Sequence, residues 1–422
     1  MSVVSLSWRL DPWGGDGELY DPSSYLACVT TEPGPCTSRQ AVSNAYAVQR
    51  EVAARFVEEI FPGIDLAARV SRLGCDTPML LRTGLSVKQL SLIATRVDTY
   101  LVSGDLSHER AQLVPTATYR AGPVPDNMLA ARRGGTSPMT LEPAPVLDAL
   151  QSGNTLVLNE VEKRLGPDFN DVLYAISSAL GAAVQVNIYL SGDGASGFGV
   201  HWDDHDVIII PITGQKLWDV AEPSELAPIK GHTPPGAAGK VVWSGVLEPG
   251  SALYIPRGWP HEVHSVGDPV SVHLTLSIAR PNPIQLCRLM PQAHPDPGVA
   301  VDSILHHGLA LWRARLTVPA ANGILELERA RLGNFESEEF RWNLPGGAVF
   351  LDGGETERRI SLGVPSGVLK VEEDVVDAIV FAMSHWWWTI DDLRSVDNLR
   401  VSPQSAIDVM LSAGLLAMRA RA

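Results

Sequence analysis

Two histidines and one aspartate form the pattern with the most specific chemistry in the 422-residue chain. His201 and Asp203 are separated by one residue, and His261 follows a Pro-Arg-Gly turn further along the chain. Residues i and i+2 of a strand project to the same face, so we expect His201 and Asp203 to bind one metal ion from one side. His261, on a neighbouring strand, is the best candidate for the third ligand. Two histidines and a carboxylate on one face are typical of non-heme Fe(II) oxygenases.

The positions opposite these three ligands would be open to a bidentate 2-oxo acid and then to dioxygen. If the acid is 2-oxoglutarate, its far carboxylate requires a buried cation. Lys216 follows the apolar strand predicted at Val207–Ile212, which is able to carry it back into the core. No cysteine lies between residues 184 and 277. This absence agrees with the chemistry, because a thiolate beside such an oxidant is itself oxidised.

A lone His-x-Asp pair is common by chance, so the prediction rests on the joint pattern of the three ligands, Lys216 and Asn187. His205 lies four residues after His201 and is an alternative ligand, which would give a cupin site of the three-histidine kind. Two further residues add roughly 6.6 Å along a strand, which favours a position above the metal. His264 is interpreted as a surface or core histidine. Trp259 is the tryptophan best placed to contact a substrate.

The segments that must position these side chains have the composition of short strands. Apolar and β-branched runs between residues 184 and 277 are separated by turns containing glycine and proline. This pattern predicts a β core, which a further strand at Thr155–Asn159 is expected to enter. Helices are predicted at 45–70, at Leu85–Val97 with Ser86 as its cap, and at Phe169–Leu180 ended by Gly181.

The core segment resembles the JmjC-type, cupin-like 2-oxoglutarate oxygenases of the ribosomal-oxygenase group. The resemblance is clearest in short motifs around the predicted ligands and extends more weakly from about Met79 to the C-terminus. The matching motifs are Asn187-Ile-Tyr-Leu, Gly197-Phe-Gly-Val-His201-Trp-Asp203-Asp-His205-Asp-Val, Gly214-Gln-Lys216-Leu-Trp218, Leu253-Tyr-Ile-Pro-Arg-Gly-Trp-Pro-His261 and Ser271-Val-His273-Leu-Thr-Leu-Ser277.

The resemblance implies a fold, a cofactor set and an activity. The fold is mainly β, with a double-stranded β-helix (jelly-roll, JmjC/cupin-like) core. The two histidines and the aspartate would hold Fe(II). Lys216 would bind the tail of 2-oxoglutarate, with Asn187 and His273 lining the same pocket. The implied activity is Fe(II)- and 2-oxoglutarate-dependent hydroxylation of a protein or peptide side chain, with dioxygen as the oxidant.

The chain is expected to contain four segments. These are an N-terminal arm and helix (1–75), a JmjC/cupin-like catalytic domain (76–283), a helical linker (284–337) and a winged-helix-like domain (338–422). Apolar residues recur at helical spacing in the linker. The resemblance implies that this linker is a dimerisation segment and that the protein is a homodimer.

Short strands and helices are predicted in the C-terminal segment. Phe340–Leu344 and Arg358–Gly363 are expected to pair as strands. Val375–Trp386 and Pro403–Leu411 are expected to be helices, the second ended by Gly414. Lysine and arginine show little clustering here apart from Arg419 and Arg421 at the tail, which favours partner docking over nucleic-acid binding.

Composition narrows the class of protein further. The formal net charge is −15, which argues against nonspecific binding to nucleic acid because the phosphate backbone attracts positive charge. The four cysteines show no Cys-x-x-Cys spacing and are interpreted as free thiols in a reducing compartment. The chain start lacks a basic segment followed by an apolar core. No apolar run reaches the length of a membrane helix, and a cytoplasmic protein is therefore expected.

Two other interpretations remain open at this stage. The oxygenase would act on a small metabolite or a ribosomally made peptide, or the chain would be a metal-binding cupin that is not an oxygenase. Lys216 argues against the second interpretation, because neither a hydrolase nor a binding module needs a buried cation one strand away from the metal. The identity of the substrate does not follow from the sequence.

Overall fold

Antiparallel strands form the part of the chain that carries the predicted ligands. The computed structural model describes residues 38–63, 77–102, 111–116, 121–130, 140–225, 228, 231–234, 236–267, 269–279, 324–345, 349–351, 359–364, 367–397 and 399–421. They divide into a β unit (57–170 and 183–280) and a C-terminal unit (1–56, 171–182 and 281–422). The four cysteines and most of the predicted dimerisation segment lie outside the described residues.

The strands of the β unit are short and rich in β-branched residues, as the sequence predicts. In chain order they are β1 (Met79–Arg82), β2 (Ala111–Val114), β3 (Gly122–Pro123), β4 (Leu129–Ala130), β5 (Thr140–Leu141), β6 (Thr155–Leu158), β7 (Ala183–Ser191), β8 (Asp206–Thr213), β9 (Lys216–Pro223), β10 (Ala238–Leu247), β11 (Ser251–Ile255), β12 (His261–Ser265) and β13 (Ser271–Ala279). The strands expected at Thr155–Asn159 and Val207–Ile212 are confirmed as β6 and β8.

Two sheets of this unit enclose an apolar layer. The larger has the strand order β1-β11-β8-β13-β7-β6-β2-β3, and the smaller has the order β10-β9-β12. A buried cluster contains residues from both sheets: Val207, Ile209, Trp218, Val220, Leu247, Leu253 and Ile255. Because side chains alternate between the faces of a strand, the same inward faces of β7, β9 and β13 also carry the predicted polar residues. The core is therefore a β-sandwich, and the sandwich interior holds the candidate site.

Most of the described α-helices lie where the sequence predicts them, but the helix expected at 45–70 begins at Ser38 and ends at Ile60. In chain order they are α1 (Ser38–Ile60), α2 (Val87–Val102), α3 (Pro143–Gln151), α4 (Pro167–Leu180), α5 (Ile324–Leu332), α6 (Val376–Ser384), α7 (Ile390–Arg394) and α8 (Pro403–Ser412). The Ser86 hydroxyl accepts the Gln89 N–H at 3.3 Å, and the Gln89 side chain accepts the Ser86 N–H at 2.7 Å. This capping box confirms Ser86 as the predicted N-cap. Gly181, with φ 60°, ends α4 as expected.

The C-terminal unit contains two further sheets. Its strands are β14 (Glu338–Trp342), β15 (Val349–Leu351), β16 (Arg359–Val364), β17 (Gly367–Glu372), β18 (Trp388–Thr389) and β19 (Leu416–Ala420). Their orders are β18-β14-β19 and β15-β16-β17. The predicted pairing of Phe340–Leu344 with Arg358–Gly363 is wrong. β14 pairs with β18 and β19, because its apolar residues Phe340 and Trp342 are buried in the core formed with α6 and α8.

Helices α6 and α8 confirm the two helices expected in this unit. α6 ends at Ser384, two residues before the expected end, so that Trp386, Trp387 and Trp388 lie beyond the helix. Trp388 packs against Phe340 at a centroid distance of 5.1 Å. Within the described residues, no helix has both the length and the hydropathy needed to cross a membrane.

Candidate metal centre

His201, Asp203 and His261 come together inside the β-sandwich. Their ligand atoms all lie within 4.8 Å of one another. The His261 Nε2 atom lies 3.8 Å from Asp203 Oδ2, and the two imidazole centroids are 4.4 Å apart. These are the three residues that the sequence selected, and their atoms surround a space suited to one ion.

The backbone that presents these ligands differs from the predicted strand. His201 and His261 exchange two backbone hydrogen bonds, of 3.0 and 2.7 Å, as an isolated β-bridge. Asp203 lies outside any strand, and its carbonyl accepts the Gly258 N–H at 2.8 Å. The expectation that strand alternation places His201 and Asp203 on one face is therefore wrong. A single bridge and the turn before β12 position them instead.

Both imidazole rings are oriented by backbone carbonyls. His201 Nδ1 lies 2.8 Å from the Gly199 carbonyl, and His261 Nδ1 lies 3.0 Å from the Trp259 carbonyl. A carbonyl only accepts, so each Nδ1 carries the proton. The Nε2 lone pairs therefore point toward the shared space, which is the tautomer that metal-ligating histidines use.

Burial keeps His261 neutral. The pKa of His261 is lowered to about 4, chiefly by desolvation and also by the neighbouring His201, while Asp203 acts in the opposite direction. The imidazole therefore offers a lone pair at neutral pH without first losing a proton. Together with the Asp203 carboxylate, this donor set of two neutral nitrogens and one anionic oxygen fits Fe(II).

The remaining predicted histidines lie apart from this cluster. His205 Nδ1 lies 3.2 Å from Asp204 Oδ1, and the His205 side chain is 28% exposed. Within the described residues, His205 is not part of the group of three ligands. The His264 side chain is 38% exposed and lies 3.7 Å from Glu262. The geometry therefore does not favour a three-histidine site.

Lys216 is the buried cation of the sandwich interior. It is 5% exposed, and its Nζ donates to Ser191 Oγ at 2.9 Å. Ser191 Oγ in turn lies 2.9 Å from Thr155 Oγ1. Within the described residues, no carboxylate forms an ion pair with Lys216, and desolvation lowers its pKa to about 7. An ammonium faced only by hydroxyls is costly to bury, so this position fits an anionic ligand.

His273 lies beside Lys216. It is 4% exposed and stacks on Tyr189 with the centroids 4.8 Å apart and the planes 7° apart. Its buried Nδ1 has no hydrogen-bond partner among the described residues. Burial, with a smaller contribution from Lys216, lowers the pKa of His273 well below its usual value. Lys216, Trp218 and His273 line one small cavity, where an unpaired ring nitrogen and a cation meet.

Asn187 is fixed from the neighbouring loop. Its Oδ1 accepts the Glu160 backbone N–H at 3.1 Å. Glu160 has a positive φ of 53°, a conformation that costs energy in a residue with a side chain. Asn187 also hydrogen bonds Tyr189, whose pKa is raised, chiefly by burial. These hydrogen bonds fix the orientation of the Asn187 side chain on β7.

Sequence reasoning missed Tyr189, Ser191 and Thr155. Asn187, Tyr189 and Ser191 alternate along β7, which places them on one face of the strand. That alternation was the signal available for Tyr189 and Ser191. Thr155 belongs to the adjacent β6, and its contact with Ser191 depends on the pairing of the two strands. Such a contact has no local signature in the chain.

Comparison with known proteins agrees with this geometry. The sequence profile of the JmjC domain family matches residues 163–286. The chain is 34% identical over 96 residues to a bifunctional lysine-specific demethylase and histidyl-hydroxylase NO66 of Drosophila persimilis, which covers 22% of this chain and 14% of that protein. It is 32% identical over 145 residues to ribosomal oxygenase 1 of Rattus norvegicus. That match covers 33% of this chain and 24% of the rat protein. The match therefore spans less than a quarter of the length of these curated relatives.

The solved structures include a ribosomal oxygenase, YcfD of Escherichia coli, in complex with cobalt and 2-oxoglutarate. The similarity has a TM-score of 0.48 at 16% identity and covers 85% of this chain and 99% of that one. The sandwich and the matched profile define a protein with a JmjC/cupin core. Residues 163–286 match the JmjC domain family, and the chain is similar over part of its length to a ribosomal oxygenase.

Proposed function

We propose that this protein is an Fe(II)- and 2-oxoglutarate-dependent oxygenase that hydroxylates a side chain of a protein or peptide. The observation that carries the proposal is the combination of two features in one interior. His201, Asp203 and His261 converge within 4.8 Å, and the buried Lys216 lacks an ion-pair partner among the described residues. A metal site alone would fit many cupins, but a buried cation beside it fits an acid with a second carboxylate.

Each residue has a separate role in this proposal. His201, Asp203 and His261 hold the iron from one side. Lys216 binds the far carboxylate of 2-oxoglutarate, and Asn187 and His273 line the same pocket. When bound, iron and 2-oxoglutarate supply the oxidation of a substrate C–H bond by dioxygen, with release of succinate and carbon dioxide.

The protonation of Lys216 would respond to its ligand. The pKa of about 7 belongs to a buried ammonium whose hydrogen bond, among the described residues, is to the Ser191 hydroxyl. A carboxylate beside Nζ stabilises the charged form and raises this pKa. His273 Nδ1, buried and without a partner, provides a second polar contact. The pocket therefore pairs a charge with a directional hydrogen-bonding group, which favours a dicarboxylic acid over a neutral molecule.

Three considerations support a protein or peptide substrate. Relatives of this chain are named a histidyl-hydroxylase and a ribosomal oxygenase. The chain carries a net charge of −15, which would steer a basic partner toward it. Asp204, the residue that follows the ligand Asp203, adds an acidic side chain that is 41% exposed. A basic ribosomal protein is therefore the substrate class that we propose, with the cytoplasm as its location.

We also propose that the four expected segments (1–75, 76–283, 284–337 and 338–422) act as separate parts. The last is proposed to be a winged-helix-like scaffold that docks a partner. Its helix α8 supports this role over nucleic-acid binding, because the exposed Asp408 forms an ion pair with Arg331 at 2.7 Å. A helix that presents acidic and neutral residues has no attraction for phosphate.

A homodimer formed through 284–337 completes the proposal. Two leucines of α5 support it: Leu325 is 74% exposed and Leu332 is 81% exposed. They lie seven residues apart and so share one helix face. Light scattering of the full chain at micromolar concentration should give twice the chain mass, and Leu325→Glu with Leu332→Glu should give a monomer. A monomeric wild-type chain would contradict this part of the proposal.

The decisive test of the function is an anaerobic titration with Fe(II) and then 2-oxoglutarate. Succinate release is then measured against basic peptides and ribosomal extracts, and mass spectrometry should find a gain of one oxygen in the substrate. Asp203→Ala is the matched inactive control. Succinate formed only with small metabolites would redirect the substrate class. Metal binding without any succinate would identify a cupin that is not an oxygenase.

A further inference from the structure

A further acidic residue, Asp206, lies close in sequence to the ligand Asp203. Asp206 begins β8 and is 0% exposed, which makes it the most buried carboxylate among the described residues. Its Oδ1 accepts the backbone N–H of Arg257 at 2.8 Å. The bond therefore ties the start of β8 to the turn that precedes His261.

The bonded turn is itself well defined. Trp259 N–H donates to the Pro256 carbonyl at 3.2 Å, and Gly258, with φ 82°, occupies the third position. These are the features of a type II turn. A Cβ at Gly258 would also meet Pro228 at 2.7 Å, so glycine is required there. The turn is rigid, and whatever holds Arg257 also holds the residues that follow it.

Residues 201–206 and 257–261 are joined at successive points. His201 and His261 exchange two backbone bonds, and the Asp203 carbonyl accepts the Gly258 N–H. The Asp206 side chain makes the next bond along, to Arg257. Among these bonds within the described residues, only the last uses a side chain. Substitution is therefore able to remove it while the backbone bonds remain.

We infer that Asp206 is a positioning residue that fixes the distance between Asp203 and His261. This inference rests on the proposed function. Asp203 lies outside any strand, so no ladder of hydrogen bonds holds it. Its carboxylate reaches the 3.8 Å separation from His261 Nε2 only if the two segments keep their register. The ladder between β8 and β11, whose last pair is Val207 with Ile255, holds the far side of this stretch. Loss of the Asp206 bond therefore removes the side-chain contact that lies between that ladder and the bond from Gly258 to Asp203.

Cobalt(II) binding to the metal-free full chain tests this inference without turnover. Loss of a group that supports a metal ligand typically weakens metal affinity by 10–100-fold. Asp206→Ala should therefore bind cobalt at least about tenfold more weakly, with an altered visible spectrum. Asp206→Asn keeps a carbonyl oxygen that accepts from Arg257, and it should regain most of the affinity. A merely structural role would not change the cobalt spectrum.

A second pair of variants removes the donor instead of the acceptor. Proline suits the second position of a type II turn but has no N–H, so Arg257→Pro deletes the bond while preserving the turn. Arg257→Ala removes the same side chain and keeps the N–H. We expect Arg257→Pro to weaken cobalt binding as Asp206→Ala does, and Arg257→Ala to bind like the wild type.

Asp392→Ala is the stability control. Asp392 also accepts a backbone N–H, from Thr389 at 2.7 Å, but in the capping box of α7. It should lower the unfolding temperature and leave cobalt affinity unchanged. Wild-type affinity in both Asp206→Ala and Arg257→Pro would overturn the positioning role alone. Absence of cobalt binding in the wild type would overturn the proposed metal site together with it.

Discussion

Two buried cations of this protein have opposite surroundings. Arg341 in the C-terminal unit is 2% exposed and lies 3.4 Å from the Asp171 carboxylate. Its guanidinium also lies 3.9 Å from the centre of the Tyr174 ring. Lys216 in the β unit is buried to a similar degree, but its described partner is the hydroxyl of Ser191. One cation is neutralised by its own chain, and the other is not.

The difference distinguishes Arg341, a cation that stabilises the fold, from Lys216, a cation that is proposed to bind a ligand. Desolvation lowers the pKa of Arg341, but Asp171 and Tyr174 act against that shift, so the guanidinium stays charged. Desolvation is the cause that lowers the pKa of Lys216, to about 7. A cation whose charge is supported by the chain stabilises the fold. A cation that the chain leaves unsupported is suited to an anion from solution.

The largest effect should follow from loss of a metal ligand. His201→Ala or Asp203→Ala should abolish Fe(II) binding and turnover, because two residues and water cannot replace a three-ligand set. His205→Ala should keep the metal, since that side chain lies outside the group of three. Metal content is measured after anaerobic loading and desalting. An equal loss of metal in His205→Ala and His201→Ala would refute the assignment of the ligands.

The next effect concerns Lys216, the cation that has no ion-pair partner among the described residues. A broken buried ion pair costs roughly 3–5 kcal/mol, and each 1.4 kcal/mol is about tenfold. Lys216→Ala should therefore raise the 2-oxoglutarate requirement by about two to three orders of magnitude, while Fe(II) binding survives. Lys216→Arg should be milder because the charge remains. Succinate formation is measured against 2-oxoglutarate concentration, and an unchanged requirement in Lys216→Ala would place the cation elsewhere.

Substitution of Arg341, the cation that is paired with Asp171, should instead affect the stability of the fold. Arg341→Met leaves the Asp171 carboxylate in the C-terminal unit with Arg419 at 3.7 Å and Trp387 Nε1 at 3.2 Å. We expect a loss of about 3 kcal/mol in the free energy of unfolding, at the lower end for a broken buried pair. Denaturant unfolding measures it. Adding Asp171→Leu should recover part of the lost stability. A changed 2-oxoglutarate requirement in folded Arg341→Met would contradict the distinction between Arg341 and Lys216.

The smallest effect, expressed per pH unit, is a pH dependence of the free energy of unfolding. The pKa of Lys216 is about 7 in the folded protein without ligand and ordinary in the unfolded chain. Between these values the unfolded chain binds the extra proton, so stability rises with pH. Relative to Lys216→Met, the free energy of unfolding should rise from pH 7 to 10 by up to about 1.4 kcal/mol per unit. Saturating 2-oxoglutarate should remove this slope, and identical slopes in both proteins would argue against a depressed pKa.

The clustered site residues were accessible from sequence because their chemistry is unusual and local. His201 and Asp203 lie within one short motif, and Lys216 and His261 each follow a glycine turn. Helix ends were accessible for the same reason. Ser86 forms its capping box within four residues, and Gly414 follows α8 with φ 72°. Such signals require no knowledge of the rest of the fold.

What depends on distant partners was not accessible. Asp171 and Arg341 are far apart in sequence, and neither shows that it will meet the other. β14 pairs with β18 and β19 rather than with β16, because its core requires partners on both sides. The irregular backbone at Asp203 also arises from a distant turn through Gly258. Residue types identified the chemistry, whereas long-range packing determined how the chain presents it.

The single bridge between His201 and His261 has a consequence for folding. It closes a loop of about sixty residues, and bringing the ends of such a loop together costs conformational entropy. An ion held by Asp203 and both histidines would act as a removable cross-link across that closure. Metal binding would then be part of the folding free energy. The thermal stability of the protein would rise with metal concentration and fall when a chelator removes the ion.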